Sequence, residues 1–366
     1  MIKKHMTLIL VVLFLFIGLV TEVSAKPAWQ QEWEQLVKDA QTEGRLVLYS
    51  STGGELRVAL VETLDSKYGI KLDCVAGGSR GLVNRIAGQR NAGLFSVDVL
   101  LSGTGGILST LKPMGALDQL EPVIILPEVK DPNNWFGGKF PWMDPKERTT
   151  VACITCPEGF ITVNKNLVNP GEVKSYQDLL NPKWKGRIVI TYPLKSGAMT
   201  GWVGAVEPIM GRDYLYMFAK QEPVVVENER LHVEWIARGK YPLGVAARYE
   251  VVAELKRAGA PLENIMPAEG IQLGAGPGQL RLMNKAPHPN AAKFFINWFL
   301  SKEGQTIYSK AAGQQSARED VPVEHLDPTF IRQSGAKYRM ANTEEWARKS
   351  EERQALSVKI FGHLAK

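Results

Sequence analysis

Arg45-Leu-Val-Leu-Tyr-Ser50 runs straight into Ser51-Thr52-Gly53-Gly54-Glu55, and that join decides the fold. A short apolar stretch closed by small residues predicts a buried strand. The spacing of Leu56, Ala59, Leu60 and Leu64 behind it predicts an amphipathic helix. The device repeats. Residues 70–76 are a second expected strand, and Gly77-Gly78-Ser79-Arg80-Gly81 opens a helix with Leu82, Val83 and Ile86 inward. Val97-Asp-Val-Leu-Leu101 is a third strand, ending in Ser102-Gly103-Thr104-Gly105-Gly106. Upstream, residues 29–42 put Trp29, Trp33, Leu36 and Val37 on one helical face. Alternating helix and strand predicts an α/β fold with a parallel sheet. It also marks the working edge, because ligands bind beyond the carboxyl ends of such strands.

The chain outside this block sets the scale and the destination. A length of 366 residues exceeds the usual ~150–250 of one domain, so two lobes are expected. With 45% apolar and 22% charged residues, wholesale disorder is excluded. Lys3 and Lys4 precede an apolar run at 8–20, and Val23-Ser24-Ala25 is a small-x-small ending. That pattern predicts a signal peptide, 1–25, cut after Ala25, and an exported, periplasmic protein. The run is short of the ~20 residues that span a bilayer. Removing 1–25 lowers the net charge from +6 to +5. The excess is spread along the chain. It favours anions mildly and is not the clustered stripe of a nucleic-acid binder.

Further along, residues 122–145 are rich in Pro, Gly and Trp and read as loop, and 149–164 read as extended chain. Strands at 188–191, 224–226 and 244–247 alternate with helices to about residue 258, a second α/β set. A Gly/Pro-rich stretch from 266 closes in an apolar, strand-like run by 283. Pro287, His288 and Pro289 then precede a helix with Ala292, Phe295, Ile296 and Phe299 inward. The remainder is helical and polar, suited to wrapping a surface.

Three segments carry a family resemblance. They are Gly77-Gly-Ser-Arg-Gly-Leu-Val-Asn-Arg-Ile86 with Ser96-Val-Asp-Val-Leu100, and Leu179-Leu-Asn-Pro-Lys-Trp-Lys-Gly-Arg-Ile188. The third is Ala286-Pro-His-Pro-Asn-Ala-Ala-Lys-Phe-Phe-Ile-Asn-Trp298 with Ser301-Lys-Glu-Gly-Gln-Thr306. In these the chain resembles the extracellular solute-binding proteins of ABC importers, in the two-lobed class that includes the ferric-iron-binding proteins. The resemblance implies a type II periplasmic-binding-protein-like Venus flytrap, two α/β lobes joined by two hinge crossovers. It implies a small-molecule ligand between the lobes, the membrane subunits of an ABC permease as partners, and no catalysis. No cofactor and a monomeric state are expected. Lobe one is expected to hold 26–150 and 270–366, including the C-terminal helices, and lobe two 151–269.

The candidate ligand residues follow from strand ends. Ser50 and Ser51 sit at the tip of the first strand, where hydroxyls and N–H groups face the cleft. Thr52 has capping-box spacing to Glu55, so it either caps a helix or joins them. Ser79 either caps its helix or presents a helix N-terminus to an anion, with Arg80 adding charge. Gly103 and Thr104 form a third cleft loop; it lacks the Lys-Ser/Thr ending of a P-loop. In lobe two, Thr191 ends a strand, Ser196 and Gly197 precede a helix, and Arg248 and Tyr249 follow another strand. Arg248 is either a solvated surface residue or a cleft cation. The solute these groups suit is small and anionic or oxygen-rich.

Three rival chemistries have residues of the right type. Ferric binders of the family present a tyrosine pair after a late lobe-two strand; here Ala246-Ala247-Arg248-Tyr249-Glu250 offers one Tyr beside a cation. Gly77-Gly78-Ser79-Arg80-Gly81 fits the nucleophile elbow of a secreted serine hydrolase with Ser79 as nucleophile. Only one earlier strand precedes it, and no oxyanion-hole sequence accompanies His232, His288, His325 or His363. Cys153 and Cys156 have redox spacing, but their surroundings are strand-like and not a helix N-terminus.

Overall fold

The computed structural model describes residues 26–194, 197–341 and 343–365. The expected signal peptide at 1–25 lies outside them. The first set of elements is α1 (Ala28–Glu43), β1 (Arg45–Ser50), α2 (Gly54–Tyr68), β2 (Lys71–Ala76), α3 (Ser79–Asn91) and β3 (Val99–Leu101). Short elements follow: β4 (Leu117–Asp118), α4 (Pro127–Lys130), β5 (Val151–Ala152), β6 (Cys156–Glu158) and β7 (Ile161–Asn164). The second set is β8 (Ile188–Thr191), α5 (Ala198–Met210), α6 (Arg212–Ala219), β9 (Val224–Val226), α7 (Glu229–Ala237), β10 (Leu243–Val245), α8 (Tyr249–Arg257) and β11 (Leu262–Ile265). The chain closes with β12 (Ile271–Gly274), β13 (Gln279–Met283), α9 (Pro289–Leu300), α10 (Lys302–Ala312), β14 (Tyr338–Met340), α11 (Glu344–Arg348) and α12 (Ser350–Phe361).

Two large sheets result. In the first, the order is β2-β1-β3-β13-β4, with β5 also on β13. β1 pairs with β2 and β3 in parallel, and β13 enters antiparallel beside β3. The second runs β11-β7-β10-β8-β9, with β8, β9 and β10 parallel and β7 antiparallel. Each sheet carries its own core. Leu46, Leu48, Val99 and Leu280 are buried with Phe294, Phe295 and Trp298 of α9; Ile188, Ile190 and Leu243 are buried with Trp202, Val203 and Phe218. The fold is the expected type II α/β architecture of two lobes.

The lobes are joined through a third, small sheet, β14-β12-β6. The run expected to leave the first lobe does so in three steps, β5 in the first sheet, β6 in the small one and β7 in the second. The return mirrors it through β11, β12 and β13, and β6 and β12 lie antiparallel with Gln272 opposite Glu158. Cys153 and Cys156 are free and buried in this stretch, and burial pushes both thiols up. A thiol so held stays protonated and is a poor redox group.

The C-terminal segment differs from expectation. It was expected beside the first lobe, yet Leu356, Ile360 and Phe361 of α12 lie in the second core. The Phe361 ring packs edge-on to Phe218. α11 stays near the first lobe, where Glu344 N donates to Met143 O and its carboxylate is 3.6 Å from Lys112 Nζ. β14, α11 and α12 therefore strap the two lobes together.

Under β8, His232 is buried and its Nε2 lies 3.1 Å from Val189 O. Burial pulls its pKa down to about 4 from 6.5. Between those values the unfolded chain binds a proton that the folded one does not, so stability rises with pH there and falls on acidification. About 2 kcal/mol should disappear between pH 7 and pH 5, at ~1.4 kcal/mol per unit below 6.5. Urea unfolding of His232→Leu beside the unaltered protein checks this. The variant should lose that part of the slope; identical slopes would refute it.

Candidate functional site

The first three strand tips are stitched together by backbone bonds. Gly77 N donates to Ser50 O at 3.1 Å and Ser51 N to Leu101 O at 3.0 Å. This brings the loops after β1, β2 and β3 to one edge. There Ser79 Oγ accepts from Gly103 N at 3.0 Å and donates to Ser51 Oγ at 3.3 Å. Ser51, Ser79 and Gly103 thus form one cluster. A Cβ on Gly103 would come within 3.1 Å of Ser79 Oγ and 3.3 Å of Gly276 O, so the approach requires glycine or nearly so.

Both expected helix caps are absent. α2 starts after Gly53 and α3 after Gly78, and neither has a side-chain cap. Thr52 Oγ1 instead lies 2.5 Å from Ser50 Oγ. Ser79 is the first residue of α3, and its hydroxyl is taken by the neighbouring loops. The capping readings fail because other partners take the hydroxyls, Ser50 two residues away for Thr52 and the distant Ser51 and Gly103 for Ser79. The first turns of α2 and α3 keep their N–H groups available, and helix N-termini attract anions. Arg80 is exposed beside them and makes no ion pair among the described residues.

Thr104 lines a small pocket with Gln279, Arg281 and Glu344 of α11. Arg281 escaped sequence analysis. Its guanidinium is buried, donates to Ser102 O at 2.8 Å, Thr150 Oγ1 at 3.2 Å and Gln279 Oε1 at 2.5 Å, and has no carboxylate in ion-pair range among the described residues. Burial pulls its pKa down to about 9. It holds the backbone leading into the Gly103 loop.

In the second lobe the expected residues are more scattered. Thr191 ends β8, buried, with its hydroxyl unpartnered among the described residues. Ser196 lies outside the described residues. Gly197 is exposed at the start of α5, where Ala198 N donates to Glu229 Oε1 at 3.4 Å. The same Glu229 carboxylate is 3.2 Å from Arg248 Nη1, and Glu250 Oε2 is 3.3 Å from Arg248 Nε. Arg248 is therefore not the free cation expected from its strand-end position. Tyr249 turns toward the hinge, its ring 5.6 Å from that of Phe330. Burial first, and Glu250 second, push its phenol well up.

Ser79 lacks the partner a nucleophile needs. His232 bonds Val189 O, His288 Nδ1 lies 2.8 Å from Asp98 Oδ2, and His325 Nε2 lies 3.0 Å from Ser309 Oγ. No histidine bonds Ser79 among the described residues. Nor do three or more His, Cys, Asp or Glu side chains gather as a metal cluster among them.

The side chains that sequence analysis missed lie on α12. Ser357 Oγ donates to Pro193 O and Gln354 Nε2 to Leu194 O, each at 3.4 Å, so α12 rests on the loop after β8. Its outer face, including Glu351, Gln354 and Lys359, lines an open cleft together with Arg80.

Comparison with known proteins places this geometry. The family model for bacterial extracellular solute-binding proteins matches residues 46–312. An uncharacterized protein of Haemophilus influenzae is 25% identical over 301 residues, 80% of this chain and 83% of the relative. Iron uptake protein A1 of Synechocystis is 24% identical over 304 residues, covering 77% and 78%. Among solved structures, the periplasmic binding protein AfuA of Actinobacillus pleuropneumoniae, with fructose-6-phosphate bound, superposes with a TM-score of 0.66. It is 24% identical and covers 88% of this chain and 99% of its own. The Trichodesmium protein FutA, in complex with iron and citrate, gives 0.68 at 21% identity, with the same coverage. At these identities the solved structures establish the shared fold.

Proposed function

The chain belongs to the bacterial extracellular solute-binding proteins, and from that premise we propose that it captures a small anionic, oxygen-rich solute between its lobes and delivers it to an ABC permease. One observation carries this reading. Ser51, Ser79 and Gly103 converge beside two helix N-termini without side-chain caps and beside Arg80, which has no carboxylate partner among the described residues. N–H groups, hydroxyls and a guanidinium at one edge are the donors that an oxyanion needs. The remaining contacts would come from Ser50, Thr52 and Thr104 in the first lobe and from Thr191, Ser196 and Gly197 in the second. Arg248 and Tyr249 contribute only if closure rearranges the Glu229 and Glu250 pairs.

Ferric iron is the rival solute, since relatives named above are iron proteins. Two features favour the organic anion. Tyr249 is a single phenol where ferric binders of the family present a pair, and the cation Arg248 stands directly before it. Hydrolase and dithiol activities have no support from the surroundings of Ser79, Cys153 or Cys156. We further propose lobe boundaries near 150 and 269, with α12 counted with the second lobe, a periplasmic location for the mature chain, and a monomer.

Native mass spectrometry of the protein purified from its own bacterium, followed by calorimetry with the solute that co-purifies, tests the reading. Arg80→Ala should weaken that solute by ten- to a hundredfold, about 1.5–3 kcal/mol for one charge-assisted contact. Unchanged affinity in Arg80→Ala, or a visible absorption band from a bound iron centre, would refute it.

A further inference from the structure

Resting on the cleft just described, we propose that α12 is a third wall of the solute site, and that it selects a hydroxylated carbon skeleton carrying one anionic group. The helix has two faces. Arg353, Leu356, Ser357, Ile360 and Phe361 point inward and are buried. Glu351, Gln354, Val358 and Lys359 point outward onto the open cleft that Arg80 also lines. Gln354 ties the two walls, because it bonds Leu194 O in the loop after β8 while lining the space that Arg80 faces.

The charges along this face are uncommitted. Glu352, one residue away, pairs with Arg212 at 2.8 Å, whereas Glu351, Lys359 and Arg80 make no ion pair among the described residues. Glu351 and Lys359 are eight residues apart, which is about 12 Å along a helix, too far to neutralise each other directly. One end of the wall is therefore cationic, the other end accepts hydrogen bonds, and Arg80 lines the same cleft. In the proposed site an anionic head group takes Lys359 and Arg80 together. Hydroxyls on the rest of the solute donate to Glu351, and Gln354 serves either role between them. Ala355 and Val358 give the carbon skeleton an apolar surface. A bare metal ion or inorganic anion would use only one end.

Calorimetry with fructose 6-phosphate, fructose and inorganic phosphate tests this on the mature chain, with circular dichroism to confirm folding. Both altered side chains are exposed, so the variants should fold. The unaltered protein should bind fructose 6-phosphate at least tenfold more tightly than either fragment. Lys359→Ala should weaken fructose 6-phosphate and phosphate about tenfold each. Glu351→Gln should weaken fructose 6-phosphate about fivefold and leave phosphate unchanged. If both variants match the unaltered protein while Arg80→Ala is weakened, the α12 wall is overturned and the anion reading stands. If the unaltered protein binds none of the three probes, the substrate class is overturned. If it binds Fe³⁺ alone, both readings fall.

Discussion

Gly204→Leu should lower unfolding stability by about 3 kcal/mol and loosen α11 and α12 from their contact with α5. Gly204 lies within α5, and a Cβ there would sit 2.3 Å from the Trp346 ring and 2.4 Å from Arg353 Cδ. Neither neighbour can step aside cheaply. The Arg353 guanidinium lies 3.6 Å over the Trp346 ring, and its Nη1 donates to Trp346 O at 2.5 Å, so the two move as a unit. Overpacking of this kind costs about 1–3 kcal/mol. Urea unfolding gives the stability change, and amide hydrogen exchange over 344–361 reports the loosening. Unaltered stability with full protection there would show that α11 and α12 are not held by this contact.

Gly103→Val should weaken solute binding about a thousandfold, near 4 kcal/mol, while changing stability little. The branched side chain cannot share space with Ser79 Oγ and Gly276 O, so the Gly103 loop must lift away. That breaks the Gly103–Ser79 bond and frees Ser79 from Ser51, and three donors lose their mutual placement together. Loops at strand tips tolerate such changes better than cores do, so the loss should appear in affinity first. Calorimetry and thermal unfolding on the same variant separate the two. Wild-type affinity would remove the Ser51–Ser79–Gly103 cluster from the site.

These loops were legible because their cause is local. Apolar runs of about six residues closed by glycine and serine can only be short buried strands ending at one edge, and β1, β2 and β3 put Ser51, Ser79 and Gly103 there. What the hydroxyls do was not legible. Thr52 and Ser79 have capping patterns, but their partners come from sequence-distant or turn contacts that no spacing reveals. Arg248 reads as a cleft cation until Glu229, on another helix, is brought beside it. The tail was the largest omission. Leu356, Ile360 and Phe361 do show a buried stripe, but its partners Val203 and Phe218 lie more than 130 residues earlier, and the pattern alone does not say which lobe they belong to.

The seat of β13 between β3 and β4 has a consequence for how the chain is made. Synthesis proceeds from the N-terminus, so β1, β2 and β3 exist while residues 279–283 are still to be added. Until then the flank of β3 is an open edge, able to pair with another chain. The wait lasts for about 180 residues, which include the whole second lobe, and such long-range pairing is slow to form. A nascent first lobe is thus an incomplete sheet that depends on its own distant sequence, and a holdase that covers β3 during this interval would raise the yield of folded protein.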